Sequence, residues 1–243
     1  MPETSSKTEG IAQRLRTQYN ELAELAGSLA HEIKNPLSVI RMNMELLAED
    51  FADAETPRER RALTKIETVQ KQCTRLENLL RDFLKFARLR DLELSSGSLN
   101  DVVERVLAFF EPQARQSDIE FIRYLDPALP SIKLDEQTLH AALLNLVKNS
   151  LEAMPDGGQL LARTRMTRSG VALDLIDTGC GMDSKTAMRM FEAFFSTKNG
   201  GSGLGLPTAR KIIEAHGGRI GVQSEVGRGT QFTIEFPQPA RIL

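Results

Sequence analysis

The sequence predicts an all-α helical hairpin, doubled into a four-helix bundle by a second copy, followed by an α+β two-layer sandwich. Three observations predict this. Apolar residues recur at helical spacing through the N-terminal third. The repeat stops at the serine-rich stretch Leu92–Asn100. Beyond it, short β-like runs are interspersed with apolar helical segments, without the strict alternation of a parallel sheet.

Residues 1–10 are too polar to pack and are expected to be disordered. The hairpin is expected over 11–91. Its first helix runs from about Ile11 to Phe51, with Leu22, Leu25, Leu29, Ile33, Ile40, Met44, Leu47 and Phe51 recurring at helical steps. At about 100° per residue these fall on one narrow stripe. His31 lies about 180° from Leu22 on the same wheel, with Asn35 pointing its way one turn later. The imidazole therefore faces solvent beside the Glu32 carboxylate, which suits reversible modification. Pro36 removes a backbone donor and predicts a kink.

The second helix starts at Thr56 as N-cap, with Pro57 in the first helical position and Glu59 completing a capping box. It continues through Leu63, Ile66, Val69, Cys73, Leu76, Leu80, Phe83 and Ala87, a heptad-like seam. The link Ala52–Glu55 is short, so the helices fold back antiparallel. One hairpin cannot bury both stripes, and a homodimer is expected on that ground.

Residues 92–98 read as a hinge that leads into the first strand of a second domain, 99–238, and 239–243 as a tail. Ser98 can cap a helix through about Ala114. Strands follow at Ile119–Leu125 and Ile132–Leu134, then a helix from Glu136 to Met154 ending before Pro155-Asp156-Gly157-Gly158. Strands are expected at Gln159–Met166 and Val171–Asp177, a helix at Pro207–Ala215, and a final pair at Arg219–Ser224 and Thr230–Phe236.

A net charge of −2 gives no basic footprint for nucleic acid, and with no Trp and two Tyr there is little for bases to stack on. Cys73 and Cys180 form no metal spacing and are expected as free thiols in a reducing compartment. No apolar run approaches the ~18 residues of a membrane span. The expected location is the cytoplasm, as a whole protein or as the cytoplasmic part of a longer one.

Four motifs carry chemistry in the second domain. In Asn145-Leu146-Val147-Lys148-Asn149-Ser150-Leu151-Glu152, the residues Asn145, Lys148, Asn149 and Glu152 share a polar helix face opposite Leu139, Leu143, Leu146 and Ser150. Two amides one turn apart can offer oxygens to Mg²⁺, and Lys148 can reach a phosphate. In Asp177-Thr178-Gly179-Cys180-Gly181, a strand-ending carboxylate can accept from the exocyclic amine of adenine, where guanine presents a repelling carbonyl. Gly179 and Gly181 permit a tight turn. Phe191-Glu192-Ala193-Phe194-Phe195-Ser196-Thr197-Lys198 offers Thr197 and Lys198 to phosphate. Gly200-Gly201-Ser202-Gly203-Leu204-Gly205-Leu206 feeds a helix N-terminus, where exposed N–H groups favour an anion. It is not a Walker loop, since no Gly-Lys-Ser/Thr follows. His140 and His216 are poorer candidates for modification than His31; His216 ends a helix, where a cation is favourable.

The block His31-Glu32-Ile33-Lys34-Asn35-Pro36 resembles the phosphoacceptor box of two-component sensor histidine kinases, and the four later motifs resemble, in order, the boxes of the Bergerat-type ATP-binding fold. The resemblance covers about residues 22–238. It implies ATP and Mg²⁺ as cofactors, a homodimer, and a response-regulator receiver domain as partner. It implies His31 as phosphoacceptor, Glu32 as general base and Asn35 as the residue that positions water in phosphatase action on the regulator. Asn145 and Asn149 would hold Mg²⁺, Lys148, Thr197 and Lys198 would face phosphates, and Asp177 would bind the adenine amine. Gly179 and Gly181 would shape the pocket, Gly203, Leu204, Gly205 and Leu206 would belong to the lid, and Thr230 would support Asp177.

The main rival is an ATP hydrolase of the gyrase, Hsp90 and mismatch-repair type. Such enzymes need a carboxylate where this chain has Asn145, an amide with no useful basicity. A serine kinase on the same fold is a third reading and would not need the N-terminal hairpin. A non-enzymatic nucleotide-binding dimer is a fourth.

Overall fold

The computed structural model describes residues 27, 30, 32–53, 55–87, 92–198 and 201–237. They belong to two compact units, a helical pair and a sheet domain. In the first, α1 is helical over residues 32–50, unbroken through Pro36. After a turn, α2 spans Pro57–Ala87. Its start is a reciprocal cap: the Thr56 N–H donates to Glu59 Oε2 at 2.9 Å and the Glu59 N–H to Thr56 Oγ1 at 3.2 Å. An ion pair joins Arg41 of α1 to Glu77 of α2 at 3.6 Å, as an antiparallel hairpin requires.

This pairing leaves most of the apolar stripes uncovered. Leu37, Ile66 and Cys73 are buried, whereas Ile33, Ile40, Leu47, Val69 and Leu76 stay exposed within one chain. A single partner helix covers only one arc of each stripe, so the seam is half filled.

The second unit begins earlier than its first expected helix. Ser95–Gly97, inside the stretch read as a hinge, is a strand, β1, paired antiparallel with β3 (Ile132–Leu134). Ser98 caps α3 (Leu99–Gln116), its side chain accepting from the Asp101 N–H. Then come β2 (Ile119–Tyr124), α4 (Glu136–Glu152), β4 (Gly158–Met166) and β5 (Gly170–Asp177). A short α5 (Ser184–Arg189), α6 (Gly205–Ala215), β6 (Arg219–Glu225) and β7 (Gly229–Pro237) complete it.

The five-stranded sheet has order β2-β4-β5-β7-β6, with β2–β4 parallel and the other pairs antiparallel. Leu160, Ala162, Leu173, Leu175, Phe232 and Ile234 are buried, as are Leu139, Leu143 and Leu146 of α4 and Val102, Val103 and Val106 of α3. Alternate strand positions thus pack under the helices in a two-layer α/β sandwich. The opposite sheet face carries Asp174, which accepts from Thr233 Oγ1 at 2.8 Å and from Arg163 and Arg165. Burial would raise the pKa of Asp174, but these hydrogen bonds outweigh it and the carboxyl is held below its ordinary value.

Candidate nucleotide site

Asp177 closes the central strand β5, and its carboxylate is almost wholly buried, 1% exposed. Burying a carboxylate is costly unless donors surround it. Three do. Oδ1 accepts the N–H groups of Gly179 and Thr230, each at 3.1 Å, and Oδ2 accepts the Ser150 hydroxyl at 2.8 Å. Each donor comes from a different part of the fold. Thr230 is the β7 residue in register with Asp177. Gly179 belongs to the turn that leaves β5, and Ser150 to the buried side of α4.

Two glycines make this turn possible. Gly181 has φ 64° and Gly229 φ 95°, both in the left-handed region. A Cβ on Gly181 would strike the Glu225 carbonyl, and one on Gly229 the carbonyl of Asp177 itself. The backbone is packed too closely at both points for any side chain. Ser224 reinforces the corner, taking the Met182 N–H at 2.9 Å and lying 3.0 Å from Thr230 Oγ1.

The amide-bearing face lies on the same helix. Asn145 and Asn149 are half-buried, and Lys148 is exposed with Glu152 at 3.8 Å. Asn145 stands five residues before Ser150, about 7.5 Å along the axis at the usual rise. The start of α6 meets it there: a Cβ on Gly205 would sit 3.4 Å from Asn145 Oδ1. Leu204 is buried and its carbonyl takes the Thr208 N–H at 2.9 Å, so it anchors the glycine run from inside. The Gly203 carbonyl accepts the Phe194 N–H at 3.0 Å, tying that run to the aromatic segment. Phe191 and Phe195 are themselves gripped by cations, with Arg210 5.5 Å and Arg189 4.2 Å from the ring centres.

The predicted residues thus divide. Asp177, Gly179 and Thr230 form one cluster, with Gly181 in the turn beside it; Asn145, Gly203, Leu204 and Gly205 frame a second region on α4 and α6, with Leu206 half-buried in α6. Thr197 and Lys198 are exposed. Glu32 and Asn35 are exposed on α1, and His31 lies outside the described residues. Sequence reasoning missed Ser150 and Ser224. A hydroxyl amid Leu139, Leu143 and Leu146 was the available signal for Ser150, because a buried hydroxyl needs a partner.

No group of three or more His, Cys, Asp or Glu among the described residues can hold a metal by itself. The half-buried pair Asn145 and Asn149 fits a hard ion that keeps waters and shares phosphate oxygens. Elsewhere Asp135 caps α4, accepting from the Thr138 and Glu93 N–H groups; burial raises its pKa, but these bonds bring it below the ordinary value.

A strand-ending buried carboxylate beside an amide-bearing helix and a glycine run defines a nucleotide-binding domain of the class shared by kinases and ATPases. Residues 134–240 match the family described as Histidine kinase-, DNA gyrase B-, and HSP90-like ATPase, and residues 21–92 match the His Kinase A (phospho-acceptor) domain. The chain belongs to the sensor histidine kinases and holds the two domains of their catalytic core.

Among curated relatives, the signal transduction histidine-protein kinase AtoS of Escherichia coli (strain K12) is 34% identical over 227 residues, covering 93% of this chain and 36% of that protein. Sporulation kinase E of Bacillus subtilis (strain 168) is 30% identical, covering 93% of this chain and 30% of that protein. The chain therefore spans about a third of the length of these two relatives. Full-length ShkA in complex with AMPPNP superposes with TM-score 0.69 at 30% identity, covering 90% of this chain and 47% of that one. The histidine kinase ThkA in complex with the response regulator protein TrrA gives TM-score 0.67 at 26% identity, over 100% of this chain and 69% of that one. No described helix is long and apolar enough to cross a membrane.

Proposed function

We propose that the chain autophosphorylates His31 from ATP and passes the phosphoryl group to an aspartate of a response-regulator receiver domain. The observation that carries this reading is the buried Asp177 carboxylate, an acceptor set beside the amide face of α4 and fixed by three donors. Its chemistry suits an adenine amine and rejects a carbonyl. Full-length ShkA with AMPPNP and ThkA with its regulator support both halves of the reading.

In the reaction, a ring nitrogen of His31 forms the N–P bond to the γ-phosphorus while the bond from that phosphorus to the β–γ bridging oxygen breaks, and ADP leaves. The proton displaced from the imidazole passes to Glu32. Asn145 and Asn149 would hold Mg²⁺, which when bound offsets charge on the transferring phosphates. Lys148, Thr197 and Lys198 face the phosphates, and the run Gly203-Leu204-Gly205-Leu206 covers them. The same phosphohistidine donates to the regulator, and Asn35 orients the water that later removes the phosphate from it.

The exposed residues Ile33, Ile40, Leu47, Val69 and Leu76 support a homodimer, since a second hairpin would cover them. Asn145, an amide in place of a carboxylate base, favours transfer over ATP hydrolysis. The test is phosphosite mapping at neutral pH after incubation with Mg·ATP. One acid-labile phosphate per chain on His31, absent in His31→Ala, is expected; label that persists in that variant, or continuous phosphate release, overturns the reading.

A further inference from the structure

Ser150 is fully buried on the apolar side of α4 and donates to Asp177 Oδ2 at 2.8 Å. Alanine would pack there and favour the helix more. The hydroxyl is therefore explained by its bond, not by the helix. The two backbone donors on Asp177 both meet Oδ1. They meet one oxygen of a group whose terminal torsion is intrinsically soft. The Ser150 hydroxyl meets the second oxygen.

We propose that Ser150 is a positioning residue for base selection: it holds Oδ2 of Asp177 at the angle that accepts a 6-amino group. It thereby sets a preference for adenine over purines with hydrogen or a carbonyl at that position. The residue next to it is Asn149, so one helix ties base reading to the amide face. This inference rests on the reading of the site as an ATP site and deepens it.

The test uses the full chain and calorimetric dissociation constants for ATP, inosine triphosphate and purine riboside triphosphate, which carry an amino group, a carbonyl and hydrogen at the 6 position. Ser150→Ala is expected to weaken ATP about tenfold, the scale of one hydrogen bond to a charged group. Purine riboside triphosphate should change by less than about twofold, because it offers no amine to misalign. Ser150→Thr keeps the hydroxyl and should keep the ratio of ATP to analogue affinity, whatever its added methyl does to both together. Equal weakening of ATP and analogue in Ser150→Ala would reduce Ser150 to packing and overturn the inference, as would unchanged ATP affinity. Wild-type protein that binds no ATP would refute the reading of the site and the inference with it; ATP binding that Ser150→Ala leaves unmoved would refute the inference alone.

Discussion

His216 Nε2 accepts the backbone N–H of Asp135 at 3.1 Å, which ties the C-terminal end of α6 to the N-cap of α4. Its other nitrogen, Nδ1, lies 2.8 Å from the Ile212 carbonyl and carries a proton toward it, so the ring bridges the two backbones. His216 sits at the helix end that the sequence indicates, buried, with its ring edge-on to Phe236. His216→Ala should cost about 1–3 kcal/mol, from the stranded Asp135 N–H and the vacated space. Urea unfolding of the two proteins gives the difference directly; equal midpoints would mean the bridge is not made.

Gly229→Ala should be among the most damaging small substitutions in the domain. Its φ of 95° disfavours any side chain, and the added methyl meets the Asp177 carbonyl. A loss of more than about 2 kcal/mol is expected. ATP affinity should fall with it, since the same backbone positions the Asp177 carboxylate. Calorimetry after confirming the fold by circular dichroism checks both.

Asp177→Asn separates fold from recognition. The asparagine oxygen can still take the N–H groups of Gly179 and Thr230, and the Ser150 hydroxyl can rotate to accept from the new amide. The side chain then presents a donor where an amine needs an acceptor. ATP binding should drop at least about tenfold while stability moves by less than about 1.5 kcal/mol. A variant that binds ATP normally would remove Asp177 from base reading.

Asp174 gives the domain an acid-sensitive support. Its pKa is held below the reference value of 3.8, with burial opposing and the bonds from Thr233, Arg163 and Arg165 prevailing. A depressed folded pKa contributes stability that is present above the unfolded value and lost as pH falls through the folded one. The stability gap between wild type and Asp174→Asn should therefore be full at pH 7 and shrink below about pH 4. Denaturant midpoints at pH 7 and pH 3 test this; a gap that widens in acid has the wrong sign.

Thr56→Ala removes one half of the cap on α2 and should cost about 1 kcal/mol. Thr56→Ser, which keeps the hydroxyl, should recover most of it. Thermal melting of the three proteins is sufficient.

Much of this architecture was legible because long elements advertise their period. The β5 run and its partner β7 have alternating inward positions bounded by glycine, and α4 has regular apolar steps. The two short elements were not legible. Ser95–Gly97 holds no apolar alternation and becomes a strand only because Ile132–Leu134 lies beside it. The six residues of α5 bury none of their side chains. Within the site, Asp177, Gly179 and Gly181 announced themselves as a strand end with a forced turn. The contribution of Ser150 did not, because helix phase shows which way a hydroxyl points and never what waits across the interface. The apolar stripe of α1 was visible as one band, yet Ile33, Ile40 and Leu47 stay exposed in one chain while Leu37, outside that band, is buried.

β5 is the middle strand of five, paired along its length with β4 and β7. Amides in such a strand exchange with solvent only when the whole domain opens, whereas edge strands and turns exchange through local fraying. The carboxylate at the end of β5 is therefore carried by a strand held on both sides. Discrimination among bases should persist undiminished on warming and vanish together with the sheet, in a single step.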